Sequence, residues 1–159
     1  LKRRAGEWHP LFHTIATLAF PLVYAAYLGV AESACTIAVD LARKRRADQN
    51  VTQLIGRMQT ELAGAQLAHR HMVEAASRGT TSAETVNDVM IGKRLVTEHG
   101  IRAVELAMEA AGGAGFYRSQ GLERRFRDIQ GARYHVLQAG PQATFTGSLA
   151  LGLPVDKVF

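Results

Sequence analysis

Pro10 to Ala31 is a run of 22 residues without a formal charge, and it constrains the fold more than any other stretch. Such a run either crosses a bilayer or lies inside a helical assembly where little water reaches it. His13, Thr14, Thr17 and Pro21 interrupt its apolarity, and the same pattern continues into the polar Glu32, Ser33 and Asp40. These interruptions argue against a membrane span and for a helix buried on all sides within an oligomer. Ala25, Gly29 and Ser33 recur every four residues and would let another helix approach closely, a device of membranes and of soluble bundles alike. Pro21 starts or kinks the main helix, which continues to about Arg46.

Further helices follow. Between Val51 and Ser77, Ile55, Met58, Leu62, Ala65 and Met72 form one stripe, with His69 on it and His71 turned elsewhere. A packed histidine is the simplest reading of His69. After the Arg78-Gly79-Thr80 turn, Thr81-Ser82-Ala83-Glu84 is a capping-box sequence, so a third helix starts at Ser82 and runs to Ala111. Its second half is apolar over a wide arc (Ile101, Val104, Leu106, Ala107, Met108, Ala110), which predicts subunit packing. A fourth helix is expected from Ser119 to His135 and a last one from Pro141 to Leu151. No strand pattern of useful length and no internal repeat is present. The fold class is therefore all-α: an up-and-down four-helix bundle of long helices or helix pairs, with a short extra C-terminal helix.

At 159 residues the chain can bury one core and make one domain. Residues 1–9 read as a basic connector from a missing upstream domain, and 10–159 as the helical domain itself. The start at Leu1, with no signal-like segment, leads us to expect a piece of a longer protein. A net charge of +5 suits a nucleic acid, a membrane surface, a phosphorylated cofactor or plain solubility. Few aromatics, not alternating with basic residues, speak against a nucleic-acid platform. The single cysteine, Cys35, excludes an intramolecular disulfide and a cysteine metal cluster, and a cytoplasmic location is the natural expectation. No glutamate has a histidine three residues later, so di-iron bundle chemistry is out. No other metal spacing, nucleophile elbow or phosphate-binding loop is present.

The stretch from Glu109 to His135 carries the chemistry. A long helix ends at Gly112, Gly113 and Gly115, where positive φ and close backbone approach become possible. The helix that follows bears Arg124, Arg125 and Arg127 beside Asp128. On it Asp128, Gly131, Ala132 and His135 would share one face, polar at both ends and nearly bare between, with room for a flat ligand.

Gly112-Gly113-Ala-Gly115-Phe116, followed by Leu122-Glu123-Arg124-x-x-Arg127-Asp128, resembles the signature of the acyl-CoA dehydrogenase family's C-terminal helical domain. The closing Ala132-Arg133-x-His135 resembles a branch that includes flavin-dependent monooxygenases, and the resemblance runs from about Pro10 to Leu153. It implies an oxidoreductase with FAD, or possible FMN, at a seam between protomers, and a homo-oligomer, a tetramer above all. Leu41-Ala42-x-x-Arg45 looks like the family's Tyr-Ala-x-x-Arg, whose arginine binds flavin pyrophosphate, so Arg45 is the expected cofactor arginine. Asp48 and Gln49 stand where the family has Phe-Gly. Gln53 matches the family's glutamine after this loop, and Glu109, Gly112 and Gly113 match its Gln-x-x-Gly-Gly. These residues would meet the pyrophosphate with a cation and the adenosine half with close backbone.

Dehydrogenases of the family commonly carry a catalytic glutamate eight residues after the aspartate matched here by Asp128. Val136 holds that place, and no carboxylate occurs between Asp128 and Asp156. The resemblance then makes His135 the catalytic candidate, since imidazole ordinarily titrates near neutrality; a helix-end histidine bonded to a carbonyl is the plainer alternative. Three classes follow: part of a flavin oxidoreductase, inactive alone; a purely structural oligomerisation module; or a membrane-associated helical protein.

Overall fold

The computed structural model describes residues 11–45 and 48–155; the expected connector lies outside them. Five α-helices follow in order: α1 (Leu11–Lys44), α2 (Gln49–Ser77), α3 (Ala83–Ala111), α4 (Leu122–Ile129) and α5 (Ala139–Ala150). Short 3₁₀ turns at Gly112–Phe116, Arg118–Gln120 and Gln130–Arg133 join the later ones, and no strand occurs among the described residues. Side-chain caps open two of the helices. Asp48 accepts from the Val51 N–H at 2.9 Å, and Ser82 accepts from the Thr85 N–H, each pairing a donor that the first helical turn leaves over.

Cross-helix contacts set the directions. Gln66 reaches Glu32 and His69 reaches the Pro21 carbonyl, so α2 runs antiparallel to α1. Arg78 pairs with Asp88 and His99 with Glu61, so α3 reverses again. Gly92 and Gly64 let α2 and α3 close up. A Cβ on Gly92 would stand 2.2 Å from Met72 Cγ, and one on Gly64 would stand 3.0 Å from the His99 ring. His69 is indeed a packed histidine: its Nε2–H donates to the carbonyl of the helical Pro21 at 2.9 Å.

The fourth column is composite. Arg125 meets Ser33, Ala132 meets Tyr24 and His135 meets Tyr27, so this part of the chain descends along α1. Thr146 meets Asn87 near the start of α3, so α5 continues the same descent. The expected single helix from Ser119 to His135 is therefore shorter than its pattern suggested. It opens only after Gly121, in left-handed conformation (φ 68°), and beyond Ile129 it tightens to 3₁₀ before breaking. Leu137, at φ 62°, is the one non-glycine residue with positive φ among those described, and it marks the break before α5.

Two buried clusters fill the bundle. One joins Ala31, Cys35, Met58, Leu62, Ile101, Val104, Leu106, Leu122 and Ile129. The other joins Phe20, Tyr24, Met72, Val86, Val89, Met90, Ala132 and Phe145. The apolar arc of α3, expected to face another subunit, is consumed inside this chain: Ile101, Val104, Leu106, Ala107 and Ala110 are all buried. As the central helix α3 packs against α1, α2, α4 and α5, which is why its arc is so wide. The apolar face left over lies instead on α1, where Leu11, Ile15, Leu18 and Leu22 are exposed, Leu22 by 75%. By length and composition α1 could cross a membrane, with 33% of its most apolar window buried in the bundle.

Candidate functional site

The expected residues fall into two places. At one end of the bundle the C-terminus of α1, the N-terminus of α2 and the C-terminus of α3 come together. Arg45, just past α1, is exposed and donates from its guanidinium to the Ala111 carbonyl, one of the acceptors that the end of α3 leaves over. Gly112 caps α3 at φ 57°, with its N–H shared between the Met108 and Glu109 carbonyls. A side chain there would be strained, and the nearest atom to its Cβ would be Arg45 Nη1 at 3.8 Å. Gly113 faces open space. A fixed guanidinium thus stands beside an uncovered turn of backbone, an arrangement that fits a pyrophosphate.

Glu109 and Gln53 lie at the same end and are both exposed. The Glu109 carboxylate is 3.9 Å from Arg102, whose guanidinium is raised further by Glu105, Glu109 and Glu61. A glutamate in a glutamine's place accepts hydrogen bonds and does not donate them.

His135 is elsewhere. Tyr27, its partner, and Arg45 are 18 positions apart, about 27 Å at the helical rise. It sits in the bend after the 3₁₀ turn, with Nε2 2.8 Å from Tyr27 Oη and its ring edge-on to Tyr24 and Tyr27. Tyr24 is fully buried and donates to the Ala132 carbonyl at 2.7 Å. Burial pushes the Tyr24 hydroxyl up to about 12 and raises that of Tyr27, so both keep their protons near neutrality. The bare face expected along Asp128, Gly131, Ala132 and His135 does not form. Asp128 pairs with Arg124 and Arg127 at the surface, Ala132 is buried, and a Cβ on Gly131 would stand 2.9 Å from Tyr27 Oη. The space at Gly131 therefore belongs to the tyrosine hydroxyl, not to a ligand. The shared-face pattern failed because the α-helical period ends at Ile129.

Three residues here escaped the sequence reading, Tyr24, Tyr27 and Lys93. Tyr24 and Tyr27 gave no signal, being the two tyrosines of the uncharged run before Glu32. Lys93 did give one: on α3 it falls in register with Val86, Met90, Val96 and Gly100 on the core stripe. A groove of about 420 Å³ between α1 and α2, lined by Glu32, Cys35, Asp40, Arg43 and Gln66, contains none of the expected site residues.

The family model described as acyl-CoA dehydrogenase, C-terminal domain, matches residues 22–139. The chain belongs to this family. No curated protein matches it. Among solved structures, KijD3 in complex with FMN and a dTDP-linked amino-keto sugar matches 96% of this chain and 40% of its own, with TM-score 0.85 and 19% identity. The HsaA monooxygenase from M.tuberculosis matches 87% of this chain and 40% of its own, with TM-score 0.74 and 18% identity. XiaF from Streptomyces sp., solved with FADH2 and glycerol, matches 92% and 41%, with TM-score 0.71 and 19% identity. Identities this low establish the all-α fold of the acyl-CoA dehydrogenase C-terminal domain, and the chain spans about two fifths of the length of these structures.

Proposed function

We propose that this chain is the C-terminal domain of a flavin-dependent monooxygenase within the acyl-CoA dehydrogenase superfamily. One observation carries the choice over a dehydrogenase. Val136 stands where the dehydrogenases carry their glutamate, while His135 beside it is held at 2.8 Å by Tyr27. Neighbouring folds that are named as a monooxygenase or solved with FMN or FADH2 support the reading.

Arg45 and the Gly112–Gly113 turn would hold the pyrophosphate of FAD, or the phosphate of FMN, by one guanidinium and open backbone. Flavin, when bound, supplies the two-electron chemistry with oxygen. His135 supplies a proton acceptor. With its proton on Nε2 it donates to Tyr27 Oη and leaves Nδ1, which has no hydrogen-bond partner among the described residues, as the base. Taking a substrate proton at Nδ1 makes an imidazolium whose Nε2–H still rests on the same hydroxyl.

About 27 Å along α1 separates the corner from His135, so the two would serve one cofactor from different copies of the chain. That fits a homo-oligomer, with a tetramer as its form, in which the exposed apolar face of α1 is covered by the rest of the assembly. The upstream domains of the parent would complete the flavin-ring and substrate pockets. The free thiol of Cys35 accords with a cytoplasmic setting. The test is oxygen uptake by the full-length parent supplied with reduced flavin and candidate substrates, beginning with an amino-keto sugar of the kind named for KijD3, beside its His135→Ala variant. Substrate-dependent uptake that falls about 100-fold in the variant supports the reading. Reduction of an electron acceptor with an acyl-CoA, untouched by the variant, would replace it with a dehydrogenase.

A further inference from the structure

The break in the fourth column leaves backbone carbonyls with no helical N–H to accept from, and one buried cation meets them. Lys93 is 5% exposed, at the middle of α3. Its Nζ donates to the Val136 carbonyl at 2.8 Å and to the Leu137 carbonyl at 2.6 Å. The same ammonium lies 5.1 Å from the Phe20 ring centroid and 5.6 Å from that of Tyr24. Two acceptors and two ring faces therefore surround a charge that no carboxylate pairs among the described residues. A buried charge held only by carbonyls and rings is costly, and that cost can be offset where the charge holds a conformation that other contacts do not.

That conformation is the one at His135. Leu137 is in the left-handed region at φ 62°, unfavourable for a branched side chain, and it reaches this state one residue past the first carbonyl that Lys93 grips. His135 is the residue just before that grip, and Tyr27 holds it from the other side. Tyr24 ties both parts together, since its ring faces Lys93 and His135 while its hydroxyl anchors the Ala132 carbonyl.

We propose that Lys93 is a positioning residue: by gripping the Val136 and Leu137 carbonyls it holds the bend that orients His135 against Tyr27. This rests on the reading of His135 as the base, and it adds a residue from another helix to that site. A hydrocarbon of similar length at this position would fill the same niche between Phe20 and Tyr24 while leaving both carbonyls without a donor. The bend would then sample other shapes, and His135 would face the substrate only part of the time.

The experiment compares full-length wild type, Lys93→Met and Tyr27→Phe by backbone hydrogen exchange, by the imidazole NMR signals of His135 and by steady-state turnover. In Lys93→Met the hydrogen-bonded amides that bracket the bend, the Tyr134 N–H on the Gly131 carbonyl and the Gln142 N–H on the Gln138 carbonyl, should exchange about 10–100-fold faster, with those of α1 and α2 unchanged. The His135 signals should move in Lys93→Met as they do in Tyr27→Phe, and kcat should fall about 10–100-fold at unchanged KM. Lys93→Gln, which keeps one pair of donors, should lie between the two. Unchanged exchange at Tyr134 and Gln142, or faster exchange spread evenly over all helices, overturns the proposal. A crystal structure of the wild-type parent with Nζ out of reach of both carbonyls overturns it without any variant. If His135→Ala leaves turnover intact, the base assignment falls, and the exchange and NMR readouts still decide the role of Lys93.

Discussion

The Arg45 corner and the His135 bend each place polar groups where a helix ends, and they are built in opposite ways. At the corner the groups face outward: an exposed guanidinium, and backbone at Gly112 and Gly113 with almost nothing over it. At the bend the polar groups face each other: Tyr27 on His135, Tyr24 on the Ala132 carbonyl, Lys93 on the carbonyls of Val136 and Leu137. The corner leaves its polar groups open, whereas the bend closes its own on one another. Exposed cations contribute little to folding, whereas buried polar groups lose much when a partner goes. Damage at the corner should therefore show in ligand affinity, and damage at the bend in stability or local order first.

The sharpest way to break that contrast is Tyr24→Ala. It removes a fully buried ring and the donor to Ala132, and should lower stability by about 3–5 kcal/mol in urea unfolding. A loss below about 1 kcal/mol would mean the bend is no firmer than the surface.

The pH dependence of Lys93 sharpens it next. Burial, with Arg94 as a like-charged neighbour, pushes its ammonium from 10.5 to about 8. Between about 8 and 10.5 the unfolded chain therefore binds more protons at this residue than the folded one, so its contribution to stability rises with pH across that window. Wild type should gain stability relative to Lys93→Met as pH climbs from 8 to 10, measured by paired urea titrations. A difference that stays flat would mean that the folded environment does not depress this lysine.

A smaller effect separates two neighbouring glycines at the corner. Gly112→Ala forces a side chain to φ 57° and ψ −145°, a region left almost entirely to glycine, and should cost about 1–3 kcal/mol. Gly113→Ala meets nothing within 4 Å and should change stability by no more than about 0.5 kcal/mol, by thermal unfolding. Equal losses would show that the corner tolerates no added atom and is packed like the bend.

The corner was readable in the sequence and the bend was not, for a physical reason. Arg45, Gly112 and Gly113 sit at helix ends, where termination signals are local and a contiguous motif carries them. The three long helices were readable likewise, the first from its charge-free run, the second from its stripe and the third from the Ser82 cap and its apolar arc. His135 could be named, but its surroundings come from Tyr27, 108 positions away, and Lys93, more than 40 away. No local pattern encodes such a meeting. The fourth helix was overextended because apolar spacing persists through Ala132 while the backbone has already tightened at Gln130. The wide arc of α3 was misassigned to another subunit because periodicity reports burial without saying by what.

Flavin binding by the full-length protein is the decisive measurement, by fluorescence titration of wild type and Arg45→Ala. Wild type should retain flavin, and Arg45→Ala should bind it at least about tenfold more weakly with its stability changed by less than about 1 kcal/mol. A wild-type protein that takes up neither FAD nor FMN, or an Arg45→Ala variant that binds as tightly as wild type, would contradict the cofactor assignment.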